Sequence, residues 1–138
     1  MKGVKNMAMM VPMIPKGYSE EKKCEFIEAC AVCEKEGLKL DEKYLHVHLH
    51  EFDASHCDET FKKTKLLMTY TAAGKGIKNK EELISIFKRE CDRVFGEGDT
   101  ERVIVIIEEH EHDCLSNNGV MRCEDAQMMA YLNSIHTL

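Results

Sequence analysis

The sequence has no tryptophan, two prolines and few aromatic residues, 7% of 138. No apolar run approaches the roughly 20 residues of a membrane-spanning helix, so no span and no membrane partner are expected. A basic excess is missing too: 19 Lys and Arg face 25 Asp and Glu, a net charge of −6. That argues against nucleic acid, whose binding rests on neutralising phosphates with a basic face. An even cysteine count is also lacking. Seven cysteines cannot all pair within one chain, and a chain this long buries roughly two-thirds of its unfolded surface without staples. A reducing, cytoplasmic setting is therefore expected. The start, Met1-Lys2-Gly3-Val4-Lys5 followed by Met7 to Val11, mimics a secretory leader, but Pro12 and Pro15 interrupt it and no small-x-small cleavage site follows.

What is present is 43% hydrophobic and 32% charged residues, the balance of a folded soluble protein, with seven His and nine Met. The length suits one domain over residues 1–138. Within it the chain reads as a duplication, with repeats at about 7–64 and 65–120 and a tail at 121–138. Lys16-Gly17-Tyr18-Ser19-Glu20-Glu21 precedes one helical segment and Lys75-Gly76-Ile77-Lys78-Asn79-Lys80 precedes the other. Gly17 stands nearly as far before Glu51 as Gly76 does before Glu109.

Each repeat reads strand, helix, strand. Met9 to Ile14 and Leu66 to Ala72 are the leading strands, each ending in a glycine turn. Ser19 is the expected cap of the first helix, Phe26, Ile27, Cys30 and Ala31 its apolar stripe, and Gly37 its stop. Asn79 with Glu82 forms a capping-box pattern for the second helix, whose stripe is Leu83, Ile84, Phe87, Cys91, Val94 and Phe95, with Gly96 as its stop. Tyr44 to Glu51 and Arg102 to Glu109 are the trailing strands. Asn118-Gly119 is a tight-turn signal, and Glu124 to Leu132 reads as a short helix with Ala126, Met129, Ala130 and Tyr131 inward.

Strands joined through a helix become parallel neighbours by a right-handed crossover. The expected fold is therefore α/β (α+β): two tandem β-α-β units forming a four-stranded mixed sheet with both helices on one face. Val103, Ile104, Val105, Ile106 and Ile107 are apolar on both sides of their strand, so the second face should also be covered. A second copy of the chain is the expected cover.

This pattern resembles the tautomerase superfamily, the group of 4-oxalocrotonate tautomerase and macrophage migration inhibitory factor. The resemblance rests on the strand leading into Gly17-Tyr18-Ser19-Glu20-Glu21-Lys22-Lys23, on Phe26-Ile27-Glu28-Ala29, on the strand ending His50-Glu51, and on Val103 to Glu109, and covers roughly residues 7 to 120. It implies a homotrimer with sheets facing inward and keto–enol tautomerase or isomerase chemistry on a small carbonyl acid, without a cofactor. The family's amino-terminal proline, a general base, falls on Ala8. As numbered, Ala8 follows Met7 and its nitrogen is an amide; were the chain to begin at Met7 and lose it, Ala8 would offer a primary amine. The family's substrate-holding arginines fall on Tyr18 and Ile77 after the turns and on His46 and Ile104 in the trailing strands. Tyr18 is the substrate-binding candidate, and His46 is the candidate replacement base, an imidazole suited to proton abstraction beside a carbonyl.

His46, His48 and His50 alternate along one strand, so their side chains should share a face opposite Leu45, Val47 and Leu49. His110, His112 and Cys114 alternate after the second trailing strand. Imidazole and thiolate at such spacing suit zinc or another transition metal. The alternative function is therefore a catalytically inactive relative that binds a metal or small ligand through these residues. Cys30-Ala31-Val32-Cys33 is a C-x-x-C well inside a helix, where no helix terminus activates a thiol; it reads as core packing, as do Cys24 and Cys91.

Overall fold

The computed structural model describes residues 8–135; Met1 to Met7, which hold most of the leader-like stretch, and His136 to Leu138 of the tail lie outside them. The first repeat is β1 (Ala8–Pro15), α1 (Glu20–Leu38) and β2 (His50–Phe52). A one-turn helix α2 (Glu59–Lys62) leads into the second: β3 (Thr64–Ala72), α3 (Ile77–Phe95) and β4 (Arg102–His110). A hairpin of β5 (Ser116–Asn117) and β6 (Val120–Met121) and the helix α4 (Ala126–Ile135) complete the chain. Among these residues no helix is long and apolar enough to cross a membrane.

The sheet runs β2-β1-β3-β4, with β1 parallel to β2, β3 parallel to β4, and β1 antiparallel to β3. This is the expected pair of β-α-β units in one mixed sheet. Alternation along the strands assigns the faces. Met10, Ile14 and Leu67 are buried in one core with Phe26, Cys30, Cys33, Leu83, Phe87, Cys91 and Val94 of α1 and α3. On the opposite face Met9 and Ile106 are 39% and 41% exposed, and Val11, Met13, Leu66, Met68, Tyr70 and Ile104 are half-buried beside them. Among the described residues that face has no cover.

The first trailing strand is shorter than expected. Met10 donates its N–H to the His46 carbonyl at 2.9 Å and accepts from the His48 N–H at 2.9 Å. Pro12, next on the same edge of β1, has no N–H to continue the ladder. Pairing lapses after the Val47 bridge and resumes only at His50, opposite Met13. Leu45, Val47 and Leu49 nonetheless pack against the core, and His48 and His50 are exposed.

Helix boundaries shift for equally local reasons. Ser19 caps α1, its hydroxyl accepting from the Lys22 N–H at 3.1 Å. Gly37 does not stop that helix. A Cβ there would lie 2.6 Å from Leu83 Cβ and 2.7 Å from Leu83 Cα, so glycine is what lets α1 and α3 approach. Lys39, at φ 60°, is the actual terminus, and its ammonium donates to the Glu36 carbonyl and the Glu82 carboxylate. The capping box of α3 is not formed: the helix starts at Ile77 after Gly76, and the Asn79 amide donates back to the Lys75 carbonyl at 2.9 Å. Gly96, at φ 84°, ends α3 as expected. Ile27 and Ala31 of the α1 stripe are only half-buried, Ile84 of the α3 stripe is 44% exposed, and Cys24 is exposed; the buried α1 positions are Phe26, Ala29, Cys30 and Cys33.

Asn118 and Gly119, at φ 54° and 81°, form the expected tight turn. In α4 the buried residues are Met128 and Leu132, while Ala126 and Ala130 face out. Tyr131 packs on Tyr44 with ring centroids 4.7 Å apart, and its hydroxyl accepts from the Asp41 N–H at 3.1 Å. The tail thus docks on its own chain.

The two long helices have 19 residues each and are capped by Ser19 and Gly76. Counting back from the caps pairs Gly17 with Gly74, both at positive φ, Tyr18 with Lys75, and Ala8 with Lys65. The pairing of Gly17 with Gly76, and hence of Tyr18 with Ile77, is corrected accordingly. Ile77 is merely the first residue of α3 and 69% exposed.

Candidate functional site

Ala8 opens β1 and is 2% exposed. It pairs with Thr71 near the end of β3, whose last residue, Ala72, pairs with His110 at the end of β4. This end of the sheet gathers charged and polar side chains that are fully out of water.

The turn from β3 into α3 places Lys75 there. Glu109 accepts from the N–H of Gly74 at 3.0 Å and of Lys75 at 3.4 Å, and pairs with the Lys80 ammonium. Burial pushes the Glu109 carboxyl up, but the Lys80 ammonium and these two N–H groups outweigh it and hold the group below its usual range. The Lys75 backbone is thereby fixed on the N–H side by Glu109 and on the carbonyl side by Asn79. Its side chain, 3% exposed, ends in an Nζ with no hydrogen-bond partner. Burial lowers the Lys75 pKa to about 8; nearby Arg122 adds to this, and Glu109 and Glu34 oppose it.

Arg122 arrives from the hairpin. Its backbone N–H donates to the Leu115 carbonyl at 2.8 Å, turning the chain back onto the end of β4. The guanidinium, on a residue 3% exposed, donates from Nε to His112 Nδ1 at 3.2 Å and from Nη2 to the His110 carbonyl at 3.2 Å, while Nη1 has no partner. Burial lowers its pKa. His110 Nε2 is also buried and unpartnered, and burial, then Arg122 and His112, lower the His110 pKa.

Glu34, from the last turns of α1, is fully buried with neither carboxyl oxygen hydrogen-bonded. Burial raises its pKa to about 9, against the pull of the His46 backbone N–H and the Lys75 charge. At neutral pH it is a carboxylic acid. His46 is half-buried beside it, with an unpartnered Nε2. The sum is a dry, net-positive cluster: two cationic groups, a neutral acid and two imidazoles with free nitrogens. Such a cluster favours an anion, because charge is poorly screened away from water.

Tyr18, the substrate-binding candidate, lies at the other end of the sheet within one chain. Its hydroxyl donates to Asp99 Oδ2, and its ring meets Phe95 edge-on at 4.9 Å. Burial first, then the Asp99 bond, raises its pKa. Lys65, at the start of β3 and fully buried, donates to the Asp99 carbonyl at 2.7 Å and lies 4.7 Å over the Phe95 ring. That end is self-satisfied.

The histidine and cysteine candidates are scattered. His48 and His50 are exposed, His46 borders Glu34, His110 and His112 contact Arg122, and Cys114 is exposed with its thiol donating to Asp113 at 3.4 Å. Among the described residues no group of three or more His, Cys, Asp or Glu could hold a metal ion. All seven cysteines are free. Cys30 and Cys33 are buried, and burial pushes the Cys33 thiol up to about 12 and that of Cys30 well above its usual value, so the C-x-x-C is core, not redox.

Lys75, Arg122 and Glu34 were not signalled as site residues by the sequence pattern. Pairing Gly17 with Gly74 finds Lys75 at once, as the partner of Tyr18. Arg122 lies in the tail, beyond any position where the repeat would place an arginine. Glu34 sits amid charged helix residues and looks like any solvated one.

No family model matches the sequence and no curated protein does. Solved structures do. The native fused 4-OT structure is 15% identical with a TM-score of 0.77, covering 86% of this chain and 98% of that chain. A fused 4-OT wild-type asymmetric trimer is 16% identical at 0.74, with 83% and 96% covered. A malonate semialdehyde decarboxylase inhibited by 3-bromopropiolate is 16% identical at 0.66, with 90% and 96% covered.

Proposed function

We propose that this chain, which has the fold of the tautomerase superfamily, moves a proton next to the carbonyl of a small carbonyl acid at the Ala8 end of its sheet. The observation that carries this reading is the buried pair Lys75 and Arg122, each with a nitrogen that has no partner among the described residues. An unpaired buried donor costs about 1–3 kcal/mol. A carboxylate on Arg122 Nη1 and a carbonyl oxygen on the Lys75 ammonium remove that cost and stabilise the enolate that forms when the neighbouring carbon loses a proton. The Ala8 nitrogen, peptide-bonded to Met7, has no lone pair for the proton, so His46 Nε2 is assigned as the base.

That same amide favours a second reading, a catalytically inactive relative that binds the acid without turning it over. Enol–keto conversion of phenylpyruvate and of 2-hydroxymuconate, followed by ultraviolet absorbance, separates the two. The enzyme reading expects a rate above buffer, a raised KM in Arg122→Gln, and a kcat lowered by about 10²–10⁴-fold in His46→Ala. Calorimetric binding with a rate no greater than buffer sinks it and leaves the inactive relative.

A further inference from the structure

We propose that the Lys75 amine is a nucleophile that condenses with the keto group of a small 2-oxo acid to form an imine, with Arg122 holding the carboxylate and Glu34 supplying the proton that releases water. This rests on the preceding reading, that a carbonyl acid binds at this end of the sheet, and adds a covalent step to it.

The geometry sets Lys75 apart from the other described lysines. Its backbone is pinned at N–H and carbonyl by Glu109 and Asn79, so the amine is delivered from a fixed base, yet Nζ itself is buried with no partner. Lys65, buried to the same degree, spends its ammonium on the Asp99 carbonyl and an aromatic ring. Many others lie in exposed ion pairs. Burial, with Arg122 as a cationic neighbour, lowers the Lys75 pKa to about 8, so that a fraction of the amine is unprotonated and nucleophilic near neutral pH and most of it is above pH 8. Its free Nη1 supplies the second anchor, which suits an acid whose carboxylate adjoins the keto carbon. Glu34 is fully buried, unpartnered, and close enough for the Lys75 charge to act on it.

The step balances. The neutral amine's lone pair forms the N–C bond while the carbonyl π pair moves to oxygen. The nitrogen passes one proton to that oxygen, giving a carbinolamine. Glu34 then protonates the hydroxyl, the C–O bond breaks, and water leaves as the nitrogen pair closes the C=N bond. The products are an iminium, which keeps one N–H, a Glu34 carboxylate beside it, and water. No oxidant or reductant is needed. The iminium withdraws electrons from the adjacent carbon and so eases the same proton removal that the tautomerase reading requires.

The test is pyruvate with cyanoborohydride on the full chain, read by intact mass and peptide mapping. The expected product carries the mass of one pyruvate less one oxygen atom, on the Lys75 peptide at least about tenfold above any other lysine. Lys75→Arg, which keeps the positive charge, should bind pyruvate in calorimetry and form no adduct; circular dichroism checks its fold, and the wild-type peptide map decides the matter alone if that variant does not fold. Label spread over exposed lysines, or pyruvate binding with no adduct, overturns the imine and leaves the binding reading standing. Neither binding nor adduct overturns both.

Discussion

Tyr18 and Lys75 stand in the same place in the two repeats, each one residue past the positive-φ glycine that turns strand into helix. Their polar ends have opposite fates. The Tyr18 hydroxyl is bonded to Asp99, while the Lys75 ammonium has no hydrogen-bond partner among the described residues. The duplication has built one finished end and one end that still has donors to offer.

The finished end should behave as structure. Tyr18→Phe removes the hydroxyl from Asp99 and keeps the ring on Phe95, and the expected loss is about 1–2 kcal/mol in urea unfolding. Conversion of phenylpyruvate should be unchanged. A stability within error of wild type, or a large loss of activity, contradicts this assignment.

Glu34 should make stability fall with pH. Below 4.5 its carboxyl is neutral whether the chain is folded or not. Between 4.5 and about 9 the unfolded chain releases the proton and the folded chain holds it, so stability declines by at most about 1.4 kcal/mol per pH unit. Lys75 acts in reverse and higher up: from about 8 to 10.5 the folded amine is neutral while the unfolded one is charged, and stability recovers. Glu34→Gln should therefore flatten the decline, melting higher than wild type at pH 8 relative to their difference at pH 4. Parallel melting curves at the two pH values would rule out a buried neutral Glu34.

Thiol labelling should divide the cysteines. Native protein treated with iodoacetamide should label at Cys24, Cys114 and Cys123, which are exposed. Cys114 should be slower than Cys123, because the bond to Asp113 raises its pKa. Cys30, Cys33 and Cys91 should react only after unfolding; early label on Cys30 or Cys33 would return the C-x-x-C to the list of functional motifs.

The open sheet face should drive self-association, with a trimer as the expected size. Met68 and Ile106 are register neighbours on β3 and β4 with no cover among the described residues. Covering what such half-exposed side chains still show to water yields about 1 kcal/mol each. Ile106→Lys should shift sedimentation toward the monomer without changing the circular dichroism spectrum. A wild-type chain that sediments as a monomer refutes this use of the face.

The sequence was most legible where one residue decides local geometry. Ser19 caps, Gly96 ends α3, and Asn118-Gly119 turns, each for reasons confined to a few neighbours. The unbroken apolar run Val103 to Ile107, set against two helices that cover one face, also made the uncovered face legible. Legibility failed where a distant partner decides. Gly37 looks like a stop but is an opening for Leu83. The three alternating histidines look like one strand, but Pro12 on the neighbouring strand removes the N–H that would have held its middle. The site suffered most, since Lys75, Arg122 and Glu34 come from a turn, a hairpin and a helix, and only folding reveals that all three lose their water together.

Lys65 occupies in the second repeat the place that Ala8 occupies in the first, and its ammonium is already held by the Asp99 carbonyl and the Phe95 ring. Duplicated folds usually double their capacity. Here the chain supplies an internal occupant at one of its two equivalent ends, so the proposed site predicts a stoichiometry of one acid per chain. In any assembly of copies the binding isotherm should saturate at a number of equivalents equal to the number of chains, half of what the repeat count alone would give.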